Sequence, residues 1–141
     1  MNDIIYPRSP CETMAGWIYL PRYIDKIRLH LAGRLHPDYQ PYFGKGFDGM
    51  WLTAAGVTHE QMIEVVENSI TDGDVCDWVR QNVEAAPAAK AAHRETMLNR
   101  PSPDDTAGQE RLQQRKAEAG IAGRDDVKTF VDMIDADEKR I

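Results

Sequence analysis

The amino-acid sequence predicts an all-α fold, in which a compact multi-helix core is followed by a C-terminal helical arm. Three observations support this prediction. Helix-start signals, in which Ser or Thr precedes an acidic or amide side chain by three residues, recur along the chain. The segments that follow them carry apolar residues at spacings of three and four. No run alternates apolar and polar residues with the period of a strand, so we expect no sheet.

A proline separates the first two predicted helices. Ser9 and Glu12 match a capping box, and Pro10 occupies the first helical position between them. This pattern predicts a helix over residues 10–19. Pro21 interrupts that helix, but proline suits the first turn of a new helix because its missing N–H is not needed there.

The second predicted helix covers residues 21–32, and Gly33 is placed to end it. One face of this helix is apolar and predicts a buried stripe, formed by Leu20, Ile24, Ile27 and Leu31. A second face is cationic and consists of Arg22, Lys26 and His30. Asp25 lies three residues after the first of these cations, within reach of a side-chain ion pair.

Residues 34–47 are rich in proline, glycine and aromatic residues, which predicts a long connection. Long connections in compact domains are often functional. The sequence around Lys45 is not a Walker A loop, because neither Ser nor Thr follows the lysine and no strand precedes it. Two interpretations remain open. The aromatic residues close the core while Lys45 faces water, or the loop is a lid that offers Lys45 and backbone N–H groups to an anion.

Further helix signals follow this connection. Asp48 is placed to cap a short helix that ends near Gly56. Capping boxes begin at Thr58 and Thr71, and each precedes apolar residues at helical spacing. An alanine-rich segment predicts another helix after Pro87.

The composition changes near residue 84, so we divide the chain into a helical core domain, residues 1–84, and a helical arm, residues 85–141. Within the arm, Ser102 is placed to cap a helix whose only large apolar residue is Leu112. Such a helix is either solvated or partly disordered. The last helix carries an apolar stripe that would pack on the core or on a second subunit, formed by Val127, Phe130, Val131 and Ile134.

Composition excludes several classes of protein. The 141 residues are enough for a real core, and the net charge of -6 argues against a nucleic-acid binder. No apolar run is long enough to span a bilayer, and the N-terminus lacks the pattern of a secretory signal. The two cysteines, Cys11 and Cys76, form no CxxC motif, which fits a reducing cytosol.

The candidate site is a cationic pocket within this acidic protein. We expect the cationic side chains of Arg8, Arg22, Lys26 and Lys45 to converge on a small anionic ligand, with Asp25 orienting one of the cations of its own helix. The protein would then bind a phosphate or carboxylate, with or without a catalytic step. The alternative at these residues is a solvated basic face. The alternative for the whole protein is an interaction or homo-oligomerisation module without catalysis, which associates through the arm.

The histidines do not predict a metal centre. None of the four forms an HExxH motif or another compact ligand pair, and His59 with Glu60 is explained by the helix start at Thr58. No GxSxG, GxGxxG or catalytic Cys-His pattern is present. We therefore expect neither a metal nor a cofactor.

A set of residues within the first 83 carries a resemblance to known sequences: Pro7, Arg8, Ser9, Pro10, Glu12, Thr13, Gly16, Leu20, Arg22, Asp25, Lys26, Leu31, Gly33, Asp72 and Trp78. In these residues the chain resembles a bacterial family of unknown function, family 5069. The resemblance implies a small helical cytoplasmic domain and no established activity. It does not extend to the arm.

Overall fold

The computed structural model of the protein describes residues 4–83 and 86–141. Within these ranges the fold is mostly helical, as predicted, with one small β-hairpin. The chain forms two compact units, one that ends at Arg94 and one from Glu95 to Ile141. The predicted domain boundary falls at Glu84 and Ala85, which lie outside the described residues. The helices are α1 (Leu20–Leu31), a 3-10 helix (Pro37–Tyr42), α2 (Gly46–Ala55), α3 (His59–Glu67), α4 (Asp72–Asn82), α5 (Pro87–Leu98), α6 (Thr106–Glu118) and α7 (Phe130–Asp137).

The predicted first helix, residues 10–19, is wrong, and so is the expectation of no sheet. Strand β1 (Thr13–Met14) pairs antiparallel with β2 (Trp17–Ile18). The two residues between them, Ala15 and Gly16, have φ values of 53° and 82°. Positive φ at both positions defines a tight hairpin turn whose twist matches that of the strands, and it is incompatible with a right-handed helix.

The capping-box signature before the hairpin forms a turn instead of a helix start. The Ser9 hydroxyl accepts a hydrogen bond from the Cys11 amide, at 3.1 Å, and the Glu12 amide donates to the Ser9 carbonyl, at 3.2 Å. The same side-chain acceptor can satisfy a turn or a helix, and the residues that follow decide between them.

The second predicted helix is confirmed as α1, and Gly33 follows it with a φ of 69°. Leu20, Ile24 and Ile27 are fully buried, as the apolar stripe predicted. Leu31 is 43% exposed, so the stripe does not extend through the last turn.

The core of the first unit is built from aromatic and aliphatic residues of several elements. The Trp17 and Trp51 rings meet edge to face at 6.1 Å, and the Tyr23 ring lies 5.9 Å from that of Trp51. Helix α1 packs on α3, which packs on α4. Both predicted capping boxes are confirmed, since the Thr58 and Thr71 hydroxyls accept from the backbone three residues later.

Two side chains of α5 anchor its first half to the hairpin. The Lys90 ammonium donates to the Ala15 carbonyl at 2.9 Å. The His93 ring lies 3.3 Å from the Ile18 carbonyl and edge to face with Trp17. These contacts hold residues 87–93 within the first unit.

The second unit has its own small core, in which Leu112, Val127 and Met133 are buried. Helix α6 therefore packs on α7 through its one large apolar residue. The N-cap of α6 is Asp105, which accepts from the Gly108 amide at 3.0 Å, so the predicted cap at Ser102 is wrong. Self-association through the apolar stripe of the arm stays a prediction. Two residues of that stripe, Val127 and Phe130, pack in the core of this unit. No helix of the described residues is long and apolar enough to cross a membrane.

Candidate functional site

The most unusual feature of the first unit is an ion pair inside its core. The Lys26 ammonium lies 2.9 Å from an Asp48 carboxylate oxygen, and these side chains are only 5% and 0% exposed. Lys26 comes from the middle of α1 and Asp48 from the first turn of α2. Burial removes hydration from both charges, so such a pair persists only where further hydrogen bonds support it.

Two hydrogen bonds support Asp48. The Tyr19 hydroxyl donates to Oδ1 at 2.6 Å, and the Gly44 backbone N–H donates to Oδ2 at 2.9 Å. The sequence predicted Asp48 as the cap of its helix. Instead, Lys45 occupies the cap position and Asp48 is the third residue of the helix, where its carboxylate reaches back to the loop.

Tyr19 adopts a backbone conformation that its side chain disfavours. Its φ is 77°, in the left-handed region, at the residue immediately before α1. For a bulky aromatic residue this conformation is a true outlier, and such outliers concentrate at functional sites. Burial raises the pKa of the Tyr19 hydroxyl, and the nearby Asp48 carboxylate raises it further. The hydroxyl therefore stays protonated and acts as a donor.

Arg22 completes what we call the polar cluster, which consists of Tyr19, Arg22, Lys26 and Asp48. Arg22 is 3% exposed and lies one turn before Lys26 on α1. Its Nη1 donates to the Arg8 carbonyl at 3.2 Å, and its guanidinium lies 5.6 Å from the centre of the Tyr39 ring. Its charge also acts on the Tyr19 hydroxyl, where it opposes the rise in pKa.

A histidine adjoins the polar cluster. His59, the first residue of α3, forms a 2.6 Å hydrogen bond through Nδ1 with the Tyr23 hydroxyl. Burial lowers the pKa of His59, against the opposing effect of Asp48 and Glu60, so the ring is neutral at pH 7. Because Nδ1 is engaged, Nε2 is the ring atom available to a ligand or a proton.

Residues 37–47, which we call the cover, lie over these side chains. The Tyr39 ring is above Arg22, the Phe43 ring is 4.5 Å from that of His59, and the Phe47 ring is 5.8 Å from that of Tyr19. No residue of the 3-10 helix within the cover is buried, whereas the polar cluster beneath it is almost completely buried.

The glycine at the turn of the cover has a steric reason. Gly44 has a φ of 75°, and a Cβ built on it would lie 2.7 Å from the His59 ring. Only glycine therefore lets the backbone pass this close to the imidazole and still donate its N–H to Asp48.

The predicted site residues fall into three places. Arg22 and Lys26 lie in the polar cluster. Lys45 is exposed on the cover. Asp25, expected to orient a cation of its own helix, is bound by Arg8, whose Nε and Nη2 donate at 2.9 and 3.1 Å.

Arg8 and Asp25 belong to a partly exposed ion network that ties the N-terminal segment and α1 to α4. Arg8 Nη1 also donates to Asp72 at 2.9 Å, and Asp72 accepts from Arg28 on its other oxygen, at 2.5 Å. Burial opposes the charged form of Asp72, but these two arginines outweigh it and hold its pKa below the usual value. The geometry of this network indicates a structural role.

Sequence reasoning missed four residues of this region: Tyr19, Tyr23, Asp48 and His59. One signal was available, because positions 19, 22, 23 and 26 share one face of a helix. The contribution of His59 had no local signal, because it depends on how α3 packs against α1. Among the described residues, no group of three or more His, Cys, Asp or Glu side chains could hold a metal ion.

A family model described as a domain of unknown function (DUF5069) matches residues 4–140. The match confirms the resemblance seen in the first 83 residues. It also covers the C-terminal unit, to which that resemblance did not extend. No curated protein matches the chain.

Proposed function

For this chain, which belongs to the DUF5069 family, we propose that the first unit binds a small anionic ligand at the polar cluster. Arg22 and Lys26 would contact a phosphate or carboxylate, while the Tyr19 hydroxyl, whose one proton is donated to Asp48, would hold that carboxylate in place. Lys45 would approach from the cover. Arg8 and Asp25 would support the site through the ion network rather than touch the ligand.

The burial of two cations, one turn apart on a single helix, carries this proposal. Arg22 and Lys26 are 3% and 4% exposed. A buried ion pair contributes little more to stability than apolar side chains of similar volume, so stability alone does not explain why the core contains these charges. Pre-positioned guanidinium and ammonium groups in a low-dielectric interior bind anions more strongly than the same groups at a surface.

The cover offers a route to the buried cations. Its 3-10 helix contributes no buried residue, so opening that part of the cover exposes little apolar surface to water. The aromatic contacts of the cover with the site are those of Phe43 with His59 and of Phe47 with Tyr19. Its polar links to the cluster include the Gly44 amide on Asp48 and the Tyr39 ring on Arg22. A bound anion would replace these links with charge-assisted hydrogen bonds to the cations, and the cover could close over it.

His59 gives the same site a group that can exchange protons. Its neutral imidazole is oriented by Tyr23 and lies beside the turn of the cover. A catalytic step at this site would use His59 as general base or acid. We also propose a reducing compartment such as the cytosol, because Cys11 and Cys76 lie far apart in the sequence and form no CxxC motif.

Thermal melting in the presence of a panel of phosphates and carboxylates tests the proposal. We expect at least one anion to raise the melting temperature of the wild-type protein in a saturable manner. The same anion should have no effect on Lys26→Met/Asp48→Asn, in which both charges of the pair are removed together so that neither is left buried alone. An Arg34→Gln variant, which loses an exposed cation just after α1, should respond as wild type does.

Two outcomes would contradict the proposal. One is that no anion of the panel raises the melting temperature. The other is that an anion stabilises the folded Lys26→Met/Asp48→Asn protein as much as it stabilises the wild type, which would place the binding elsewhere.

A further inference from the structure

The second unit contains a cavity that the proposed function does not use. Its volume is about 520 Å³, within the range of small-ligand sites. It is formed between α6 and the segments that precede α6 and α7. The apolar part of its lining includes Pro101, Leu112 and Val127, and the charged part includes Lys116, Lys128 and Asp125.

Lys116 is the central charge of this cavity. The residue is 2% exposed, and its ammonium donates to the carbonyls of Arg124, at 2.6 Å, and Val127, at 3.1 Å. An ammonium group has three N–H donors, and these two neutral acceptors use two of them. Among the described residues, no carboxylate lies within ion-pair distance of Lys116. The exposed carboxylate of Asp126 interacts with Lys116 electrostatically, but its direct ion pair is with Arg124. A buried cation of this kind is costly unless a counter-charge reaches it.

The other charges of the lining leave an excess of positive charge. Lys116 and Lys128 oppose the single carboxylate of Asp125. Lys128 and Asp125 are exposed, so water screens their charges well. Lys116 is buried, so its charge is screened much less. The strongest field within the cavity therefore comes from the Lys116 ammonium and favours an anionic group.

We propose that this cavity binds a small organic carboxylate that has an apolar body. The carboxylate would accept the third N–H of Lys116 and supply a counter-charge in direct contact with the ammonium. The body would lie on the apolar wall of Pro101, Leu112 and Val127, which gives the site a preference over inorganic anions. This site is independent of the polar cluster, since every residue of its lining belongs to the second unit.

Benzoate and benzamide form a matched pair of probes, equal in shape and different in charge. We expect benzoate, titrated into ¹⁵N-labelled full-length protein, to shift the amide signals of residues around 99–103, 109–116 and 125–129 in a saturable manner. Benzamide should bind at least about tenfold more weakly, because it cannot make the charge-assisted hydrogen bond. This comparison uses the wild-type protein and so does not depend on any variant folding.

Variants then locate the interaction. Lys116→Met keeps an apolar stem of similar length and should weaken benzoate binding at least about tenfold. Arg111→Gln removes an exposed cation from the same helix and should leave binding unchanged. The proposal is overturned if benzoate produces no saturable shifts in the second unit, if benzamide binds as well as benzoate, or if a folded Lys116→Met protein binds benzoate as the wild type does. Shifts confined to residues near the polar cluster would also overturn it, while leaving the proposed function intact.

Discussion

Asp48→Asn should destabilise the first unit strongly although it hardly changes the shape of the side chain. It replaces the carboxylate with an amide of nearly the same volume and removes the negative charge beside Lys26. If the amide oxygen stays toward the Tyr19 hydroxyl, the amide nitrogen replaces Oδ2 and faces two donors, the Gly44 N–H and the Lys26 ammonium. What changes is the charge environment of an ammonium group that is 5% exposed and 2.9 Å from the substituted atom.

The magnitude follows from this geometry. At 2.9 Å and an effective dielectric constant of about 20, the pair attracts by about 6 kcal/mol. Part of that attraction offsets the loss of hydration on burial, so removing one partner should lower the free energy of unfolding by about 3–5 kcal/mol. The Lys26→Met/Asp48→Asn double variant should lose less than the sum of the two single variants, by a coupling of about 2–3 kcal/mol.

Urea unfolding followed by tryptophan fluorescence is the appropriate assay. All three tryptophans, Trp17, Trp51 and Trp78, belong to the first unit, so the signal reports on that unit alone. The slope of the unfolding free energy against urea should stay constant across the variants, which keeps the comparison valid.

Two results would refute this reasoning. If Asp48→Asn lowered the free energy of unfolding by less than about 1 kcal/mol, the pair would behave as a solvated surface ion pair. If the two substitutions were additive, Lys26 and Asp48 would not interact in solution.

Three further predictions use the same assay. Gly44→Ala should lower the free energy of unfolding by about 1–3 kcal/mol more than Gly33→Ala, because both glycines have positive φ but only a Cβ at position 44 meets the His59 ring. Equal losses of stability would contradict the close packing of the cover. Ala15→Asn should stabilise the protein by about 0.5–1 kcal/mol, because it converts the hairpin turn into the favoured Asn-Gly pair with Gly16, and a loss of stability would contradict the turn geometry. Folding lowers the pKa of His59 from its ordinary value near 6.5. The neutral ring therefore contributes to stability at pH values above 6.5, and this contribution is lost as the pH falls through the lower pKa of the folded state. His59→Gln should therefore flatten the fall in unfolding free energy between about pH 7.5 and about pH 5, and an unchanged slope would show that His59 is as solvated as in the unfolded chain.

The parts of the fold that sequence could predict are those set by local hydrogen bonds and helical spacing. The capping boxes at Thr58 and Thr71 each satisfy backbone donors within four residues, so their outcome did not depend on distant packing. The extent of α1 followed from Pro21 and Gly33 for the same reason.

The hairpin shows where local signals mislead. The Ser9 signature is compatible with a helix, but Trp17 and Ile18 are consecutive residues and both are buried. Adjacent residues of a helix lie about 100° apart around its axis, so a helix buries both only if much of its circumference faces the core. A short hairpin enclosed by side chains of α5 and α2 buries both. That choice depended on packing across the unit, which a local signature does not encode.

The candidate site was predictable only in part. Helical spacing correctly grouped Arg22 with Lys26, because both lie on one element. The carboxylate beside Lys26 came from α2, and the imidazole came from α3. Their approach depends on tertiary packing, so Asp25 was the nearest carboxylate in sequence but not the one in contact with Lys26.

Hydrogen exchange across residues 37–47 tests the central claim most directly, namely that a readily opened cover protects buried anion-binding cations. In the free protein, the cover amides should exchange at least about 100-fold faster than those in the middle of α1, which corresponds to an opening free energy lower by about 2.7 kcal/mol or more. Addition of a stabilising anion found by thermal melting should slow exchange in the cover and leave α7 unchanged. Cover amides that exchange as slowly as those of α1, or an anion that fails to slow them, would contradict the account.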